Sequence, residues 1–262
     1  MLPTLNDLIH FAKGAGEILM GGYGKKHQVQ HKGRTDLVTE IDRDSENYLV
    51  NQIRTHFANH TIIAEESGHL AGQNDHCWFV DPLDGTSNYA HGVPIFSVTL
   101  AYAFKGKVQL GVVYDPTRDQ CFSAERGKGA WLNGNAIHVS QTSQLIDSML
   151  VTGFPYDLKD NQNNNIDNFT RFFYRAQSIR RLGSAAIDVA YVAAGWYDGY
   201  WEVSIYPWDI AAGTLMVEEA GGVVTDLNGD PDYLKPPYAI IATNYNLHPK
   251  MLAILQGTGR TK

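Results

Sequence analysis

Cysteine is scarce in this chain of 262 residues: Cys77 and Cys121 make up the whole complement, and they form no CxxC pair. The scarcity argues against a disulfide framework and against a zinc site built from thiolates, and it is typical of proteins in a reducing compartment. Histidine is more frequent, but the sequence contains no HExxH motif, so a zinc-protease helix is not expected either.

Basic residues are in deficit. Lys and Arg number 21 against 28 Asp and Glu, which gives a formal net charge of −7. Without a global positive field, nucleic acid is not expected as a partner, and Arg180-Arg181 is too small a cluster to form a basic patch. An anionic ligand would need a local source of positive potential, such as metal ions or a helix N-terminus.

Long apolar runs are missing too. The longest, such as FSVTLAYAF at 96–104, are far too short to span a bilayer. The N-terminal segment has no basic stretch before an apolar core and carries Asp7 early, which is not typical of a signal peptide. These features predict a cytoplasmic protein with no membrane partner.

The first half of the chain shows helical and then strand periodicity. Apolar spacing predicts one helix that ends at Gly21-Gly22 and another that begins near Thr39. Strand candidates follow, and residues 97–116 alternate around Lys105-Gly106 as a hairpin does. We expect residues 1–142 to form an α+β half with helices on an antiparallel sheet.

After about Ser140 the pattern changes to alternating strands and helices. Strand candidates lie at 148–154, 197–203, 221–227 and 238–244, and helix candidates lie near 166–176, 184–194, 208–219 and 247–256. The Asn-rich segment 158–168 is predicted to be a loop. The alternation implies an α/β half, 143–262, in which helices cover a sheet.

The stretch WFVDPLDGTSNYAHG, residues 78–92, ends a buried strand with two aspartates, Asp81 and Asp84. Two carboxylates this close would repel unless a cation lay between them. Mg²⁺ prefers oxygen ligands, and one ion usually binds both protein carboxylates and substrate phosphate. Gly85 would let the backbone approach a ligand, and Thr86 offers a hydroxyl and an amide. The alternative, that both aspartates only form Asx turns, stays open.

Three more acidic residues occur where an element begins or ends. Glu65 follows the apolar segment TIIA, Asp209 begins a helix of small residues, and Asp42 lies in the first turn of another helix. Asp209 could carry its carboxylate into the same cavity, where its helix N-terminus would favour an anion. The simpler alternatives are a solvated strand end for Glu65 and macrodipole stabilisation by the two aspartates.

Three segments carry a family resemblance: EES at 65–67, DPLDGTSNYAHGVPIFSV at 81–98 and WDIAAGTLMVEEAGGVVTD at 208–226. In order and spacing they resemble the signatures of the inositol monophosphatase family, within the fructose-1,6-bisphosphatase/inositol monophosphatase superfamily. Residues 36–42 and 180–203 extend the resemblance over nearly the whole chain. The resemblance implies a layered αβαβα sandwich and a magnesium-dependent, lithium-sensitive phosphomonoesterase that forms a homodimer.

Carried over by motif position, the resemblance also implies two to three Mg²⁺ ions. Glu65, Asp81 and the Leu83 carbonyl would hold the first ion. Asp81, Asp84 and Asp209 would hold the second, and Glu65 with waters would help to hold a third. Most metal ligands would then come from the first half of the chain, and the last from the second half.

The catalytic and substrate-binding residues are likewise implied by the resemblance. Glu65, Thr86 and Asp42 would be catalytic, since Thr86, hydrogen-bonded to Asp42, would help to orient or deprotonate the attacking water. Substrate would be bound by Asp84, Gly85, Thr86, Gly183, Ser184, Ala185, Glu202 and Asp209. Without the resemblance, residues 183–185 fit a simple helix start equally well, and Glu202 fits an outward-facing strand position better.

The leading hypothesis for the substrate is inositol 1-phosphate, a small phosphate monoester. Glu202 favours a polyol, because a carboxylate accepts hydrogen bonds from hydroxyls and suits a second phosphate poorly. Fructose 1,6-bisphosphate, histidinol phosphate and 3'-phosphoadenosine phosphates stay open, since metal ligands act on the phosphate that all of them share. A different alternative is a role as a binding protein of the transcription machinery, as in some bacterial relatives.

Overall fold

The computed structural model of the chain describes residues 2–25, 30–31, 37–155 and 164–257. Two predicted features lie partly outside these ranges: much of the Asn-rich loop predicted at 158–168, and residue 36 of the segment 36–42. The helices within them are α1 Leu5–Gly22, α2 Glu40–His56, α3 Thr86–Ala90, α4 Ile166–Phe173, α5 Ala185–Ala193, α6 Pro207–Glu219 and α7 His248–Leu255. The predicted end of the first helix and the predicted start of the second are confirmed.

The strands form two large sheets and one small ribbon. The ribbon pairs β1 Gln30–His31 with β2 Leu37–Val38. The first sheet contains β3 His60–Ala64, β4 Gly68–Leu70, β5 Gln73–Asp84, β6 Ser97–Phe104, β7 Lys107–Asp115, β8 Gln120–Glu125, β9 Gly129–Leu132 and β10 Asn135–Ala136. The second sheet contains β11 Met149–Thr152, β12 Ser178–Arg180, β13 Gly199–Glu202, β14 Gly222–Thr225 and β15 Ile240–Asn244.

The first sheet has the strand order β10-β9-β8-β7-β6-β5-β3-β4. The predicted hairpin is confirmed in β6 and β7, where Lys105 and Gly106 both have positive φ, 50° and 75°. Two positive φ values suit the tight hairpin turn that matches the twist of the strands. The prediction of an antiparallel sheet holds for every neighbouring pair except β3 and β5, which run parallel. The chain leaves β3, forms β4 on the outer edge and returns to add β5 on the other side.

The second sheet has the order β12-β11-β13-β15-β14 and completes a five-layer stack. Helices α1 and α2 pack on the outer face of the first sheet, and α5 and α6 lie between the two sheets. Helices α4 and α7 cover the outer face of the second sheet. The predicted αβαβα sandwich is therefore confirmed. The two sheets fall on either side of residue 142, but α5 and α6 contact both, so the division into 1–142 and 143–262 stays a prediction.

The central helix α6 is buried on nearly every side, and small residues let it pack closely. Ala211, Ala212 and Gly213 are fully buried or nearly so. On the facing strand, a Cβ at Gly111 would lie 2.9 Å from the Ala212 Cα, so β7 and α6 could not be this close with a larger residue at 111. This packing fixes the helix along its length and thereby sets the position of Asp209 in its first turn.

Four strands and one α-helix of the described residues were not predicted from the sequence: β1, β2, β4, β12 and α3. Each spans five residues or fewer, too short for a hydrophobic period to show. No helix in the described part of the chain is long and apolar enough to cross a membrane.

Candidate active site

A cavity of ≈ 500 Å³ opens where the two sheets and the central helices meet. The metal ligands predicted from the sequence all line it: Glu65, Asp81, Leu83, Asp84 and Asp209. The predicted substrate contacts line it too: Gly85, Thr86, Gly183, Ser184, Ala185 and Glu202. Residues more than 100 positions apart in sequence thus surround one volume.

A β-bulge at the end of β5 puts Asp81 and Asp84 together. Residues three apart in an unbroken strand would point to opposite faces of the sheet. Here Asp81 pairs with Thr99 and Asp84 pairs with Ser97, so β5 advances three residues while its partner β6 advances two. The extra residue corrects the alternation and places both carboxylates on the same side.

Three carboxylates converge at this point. Oxygens of Asp81, Asp84 and Asp209 lie within 4.8 Å of one another. Asp81 Oδ1 accepts a hydrogen bond from the Leu83 amide at 2.9 Å, whereas its Oδ2 is buried and has no partner among the residues that the structure describes. In the part of the chain that the structure describes, none of the three forms an ion pair with Lys, Arg or His.

The electrostatics of the cluster fit a divalent metal. Burial raises the pKa of Asp81 well above its usual value, and the charges of Glu65, Asp84 and Asp209 raise it further. Burial likewise raises the pKa of Asp209. A hard cation would favour the ionised carboxylates, and oxygen donors are the ligands that such cations prefer. The cluster could therefore hold a metal ion, with Asp81 Oδ2 as an available ligand.

Glu65 and Leu83 adjoin the three aspartates. Glu65 follows β3, where its amide donates to the Val80 carbonyl at 3.1 Å, and its charge raises the pKa of both Asp81 and Asp209. The Leu83 carbonyl accepts from Thr86 Oγ1 at 3.0 Å. A carbonyl oxygen has two lone pairs, so that bond leaves one for a metal.

Asp42 serves both as a helix cap and as a partner of the site. Its Oδ2 accepts from the Thr39 amide at 2.8 Å and from Thr39 Oγ1 at 2.6 Å, which completes a capping box at the start of α2. Its Oδ1 lies 3.0 Å from Thr86 Oγ1, across 44 residues of sequence. Burial raises the pKa of Asp42. The helix-start alternative and the predicted link to Thr86 are thus both true of this side chain.

Gly85 has a conformation that few other residues adopt. Its φ is +93°, and a Cβ there would lie 3.0 Å from the Ile95 carbonyl oxygen. Both the left-handed backbone and the crowding require glycine at the turn between β5 and α3.

The segment at 183–185 meets the metal cluster through Asp84. Ser184 is the N-cap of α5, and its Oγ donates to Asp84 Oδ2 at 2.6 Å, while the Ala186 amide donates to the same oxygen at 2.8 Å. Asp84 is thus oriented by the first turn of α5, a contact across about 100 residues that no local pattern indicates. The simple helix-start reading is correct, but the same turn also positions a candidate metal ligand.

Glu202 is buried, so the outward-facing alternative is wrong. Strand β13 is covered on both faces, and Tyr200 and Trp201 are buried along with Glu202. The Tyr200 hydroxyl donates to Glu202 Oε2. Burial raises the pKa of Glu202 to about 7. A simple alternation argument fails here because both faces of a central strand lie in the interior.

Sequence reasoning missed Asp188 and Arg181, which also line the cavity. Asp188 lies in the first turn of α5, where it resembles an ordinary helix-start aspartate. Its one distinguishing sign is that it is the sole charged residue of the apolar segment AAIDVAYVA.

Comparison with known proteins agrees with this geometry. A sequence profile of the inositol monophosphatase family matches residues 3–260. The chain belongs to that family. Its relatives include a protein of Pseudomonas aeruginosa named Nus factor SuhB, which is 41% identical over 98% of this chain and 97% of its own length. Another, named inositol-1-monophosphatase, comes from Synechocystis and is 44% identical over 93% of this chain and 85% of its own length.

Comparison with solved structures shows that this chain shares its architecture with them. The crystal structure of extragenic suppressor protein suhB from Bartonella henselae superimposes with a TM-score of 0.91 at 38% identity, and it covers 96% of this chain and 97% of that one. Membership of the family, the layered fold and the acidic cluster together support a metal-dependent phosphatase.

Proposed function

We propose that the protein is a magnesium-dependent phosphomonoesterase that hydrolyses inositol 1-phosphate to inositol and phosphate. The observation that carries the proposal is the convergence of Asp81, Asp84 and Asp209, with Asp81 Oδ2 buried and without a partner in the described ranges. The name of the Synechocystis relative supports the choice of substrate.

Two to three Mg²⁺ ions would be held by Glu65, Asp81, the Leu83 carbonyl, Asp84 and Asp209. When bound, such ions lower the pKa of water and stabilise a leaving alkoxide. Ser184 and the amide of Ala186 keep Asp84 in its orientation by occupying one of its oxygens.

Thr86 and Asp42 orient the attacking water. The Thr86 hydroxyl has one proton, and either the Asp42 carboxylate or the Leu83 carbonyl can accept it. While Thr86 donates, its lone pairs are free to accept a hydrogen bond from water. Asp42 can then take up a proton that passes through the Thr86 hydroxyl. The amides of Gly85 and Thr86 bind the phosphate oxygens.

The alcohol part of the substrate lies toward Glu202. When ionised, the Glu202 carboxylate accepts hydrogen bonds from hydroxyls and repels a phosphate. It therefore favours a polyol and disfavours the second phosphate of fructose 1,6-bisphosphate. Histidinol phosphate is the nearer alternative, because its amine would be attracted to a carboxylate.

The test is phosphate release with Mg²⁺ from inositol 1-phosphate, fructose 1,6-bisphosphate, histidinol phosphate and 3'-phosphoadenosine 5'-phosphate. We expect the highest kcat/KM with inositol 1-phosphate. Inactivity on all four would refute the phosphatase, and a clear preference for another of them would refute the substrate.

A second candidate is association with the transcription machinery, and the name Nus factor SuhB of several relatives favours it. Affinity purification of the tagged chain, followed by identification of RNA polymerase components, tests this role. An Asp209→Asn variant provides the matched control, since it should lose hydrolysis and retain any such binding.

Three finer expectations belong to the same proposal. We expect a homodimer, inhibition by lithium and a cytoplasmic location. Sedimentation, assays with LiCl and cell fractionation measure them in turn. Nucleic acid remains an unexpected partner on the basis of the acidic net charge of −7.

A further inference from the structure

Asp188 is a buried carboxyl in the wall of the active-site cavity, and none of the roles above uses it. It lies in the first turn of α5 and is 2% exposed. Its Oδ1 is buried and has no hydrogen-bond partner among the described residues. An unpartnered buried acceptor destabilises a fold, so one that is kept in a ligand cavity points to a ligand that supplies the missing donor.

Among the described residues, none donates a hydrogen bond to Asp188 Oδ1. Burial, followed by the charges of Asp84 and Glu202, raises the pKa of Asp188 well above its usual value, and Arg181 acts in the opposite direction. Arg181 forms no ion pair with Asp188 in the described part of the chain. The Arg181 guanidinium lies instead 5.2 Å from the centre of the Phe154 ring.

Glu202 lines the same cavity and has related chemistry. The Tyr200 hydroxyl donates to one of its oxygens, Oε2. Gly153 leaves the space that the carboxylate occupies, since a Cβ at residue 153 would lie 2.5 Å from the Glu202 Cδ. A carboxyl group keeps an acceptor oxygen whether or not it is protonated, so Asp188 and Glu202 together give this side of the cavity acceptor oxygens that a ligand with O–H or N–H donors can bind.

We propose that Asp188 is a specificity-determining residue whose Oδ1 accepts a hydrogen bond from an O–H or N–H donor on the alcohol part of the substrate, in a subsite shared with Glu202. The inference rests on the proposed phosphatase function and narrows its substrates. It selects phosphorylated alcohols that carry such a donor near the ester, either a neutral polyol or an amino alcohol.

The test compares substrates with and without that donor. Asp188→Ala removes the acceptor, and kcat/KM is measured with inositol 1-phosphate, histidinol phosphate and 4-nitrophenyl phosphate, whose leaving group has no O–H or N–H donor. We expect a loss of about 10- to 100-fold with the donor-bearing substrate, as for a hydrogen bond to a charged group, and no loss with 4-nitrophenyl phosphate.

Asp188→Asn identifies the donor, because it keeps an acceptor oxygen and removes the charge. If Asp188→Asn keeps nearly the full kcat/KM with inositol 1-phosphate, the subsite is supported and the donor is a neutral hydroxyl. If Asp188→Asn loses as much kcat/KM with histidinol phosphate as Asp188→Ala does, the subsite is supported and the donor is an ammonium group. An equal loss of Asp188→Ala on all three substrates, or no loss on any, overturns the proposal.

Asp198→Asn is the matched control. Asp198 is also buried, but it accepts from Ser140 Oγ at 2.5 Å and from the Met149 amide at 2.7 Å, and it does not line the cavity. It should lower the melting temperature and leave the ratio of activities unchanged. Asp188→Ala should not lower the melting temperature, since Oδ1 has no partner to lose among the described residues, and a marked fall would indicate a structural role instead.

Calorimetric titration with inositol 1-phosphate separates the subsite from the proposed function. If the wild-type protein binds this compound without hydrolysing it, the phosphatase proposal fails, and weaker binding by Asp188→Ala still supports the subsite. If the wild-type protein hydrolyses it and Asp188→Ala binds it as tightly as wild type, only the subsite is overturned.

Discussion

Replacing Gly153 by Ala should move Glu202 without touching any candidate metal ligand. The added Cβ would lie 2.5 Å from the Glu202 Cδ and from its Oε1. Ordinary carbon contacts begin near 3.5 Å, so the carboxylate has to move by about 1 Å. The backbone at Gly153 resists the opposite movement, because its carbonyl accepts from Asn165 Nδ2 at 2.7 Å. The Tyr200 bond to Glu202 would break or lengthen as a result.

The size of the effect follows from this displacement. A shift of about 1 Å at a positioning group costs on the order of 10²-fold in rate, and overpacking a core costs about 1–3 kcal/mol of stability. We therefore expect Gly153→Ala to lower kcat/KM for inositol 1-phosphate by about two orders of magnitude. Hydrolysis of 4-nitrophenyl phosphate, which makes no contact with Glu202, should change little.

Gly21→Ala is the matched control, since Gly21 lies inside α1 and a Cβ there meets nothing within 4 Å. It should raise the free energy of unfolding by roughly 1 kcal/mol and leave both activities unchanged. A folded Gly153→Ala variant with wild-type kinetics on inositol 1-phosphate would refute the role given to Glu202.

The remaining predictions concern the metal cluster and pH. Asp81→Asn replaces a buried carboxylate, whose Oδ2 has no partner among the described residues, by an isosteric amide. The metal-free protein should therefore melt higher, and the stabilisation by added Mg²⁺ should disappear; thermal melts with and without MgCl₂ would contradict this if the Mg²⁺ shift persisted. Asp209→Asn should preserve the circular dichroism spectrum and weaken Mg²⁺ binding and turnover together, and unchanged Mg²⁺-dependent activity would exclude Asp209 as a ligand. The pKa of Glu202 is raised to about 7, so its carboxylate form, and with it tight binding of a polyol phosphate, should develop as pH rises through about 7. KM for inositol 1-phosphate should fall over that pH range. If a Glu202→Gln variant showed the same pH dependence of KM, the titrating group would be one other than Glu202. The same raised pKa means that Glu202 loses its stabilising neutral form as pH rises through 7, so Glu202→Gln should gain stability relative to wild type at pH 8 but not at pH 4.

Much of the candidate site was predictable because its residues lie at the ends of strongly patterned elements. The apolar run before Asp81 indicated a strand end, and the turn residues Pro82 and Gly85 indicated that the chain bends there. Helix-start patterns located Asp42 and Asp209 in first turns, where the structure places them. The two-residue turn at Lys105-Gly106 determined a hairpin by local backbone preference alone.

Other features depended on contacts between distant segments. No local pattern specifies the partners in three of these contacts. They are the parallel pairing of β3 with β5, the bulge that aligns Asp81 with Asp84, and the hydrogen bond from Ser184 to Asp84. Strand alternation alone would place Glu202 on an outer face for the same reason, because burial of both faces of a strand depends on which layers cover it.

The sequence by itself thus determined which carboxylates stand at element ends and which family the motifs resemble, since turns, caps and short periods are local properties of the chain. Tertiary structure alone decided that α5 lies between two sheets, with Asp188 in the wall of the cavity and its Oδ1 without a hydrogen-bond partner among the described residues. An aspartate in a first helical turn is ordinary in sequence. It becomes a candidate ligand-binding group only when packing removes it from water and supplies no donor in return.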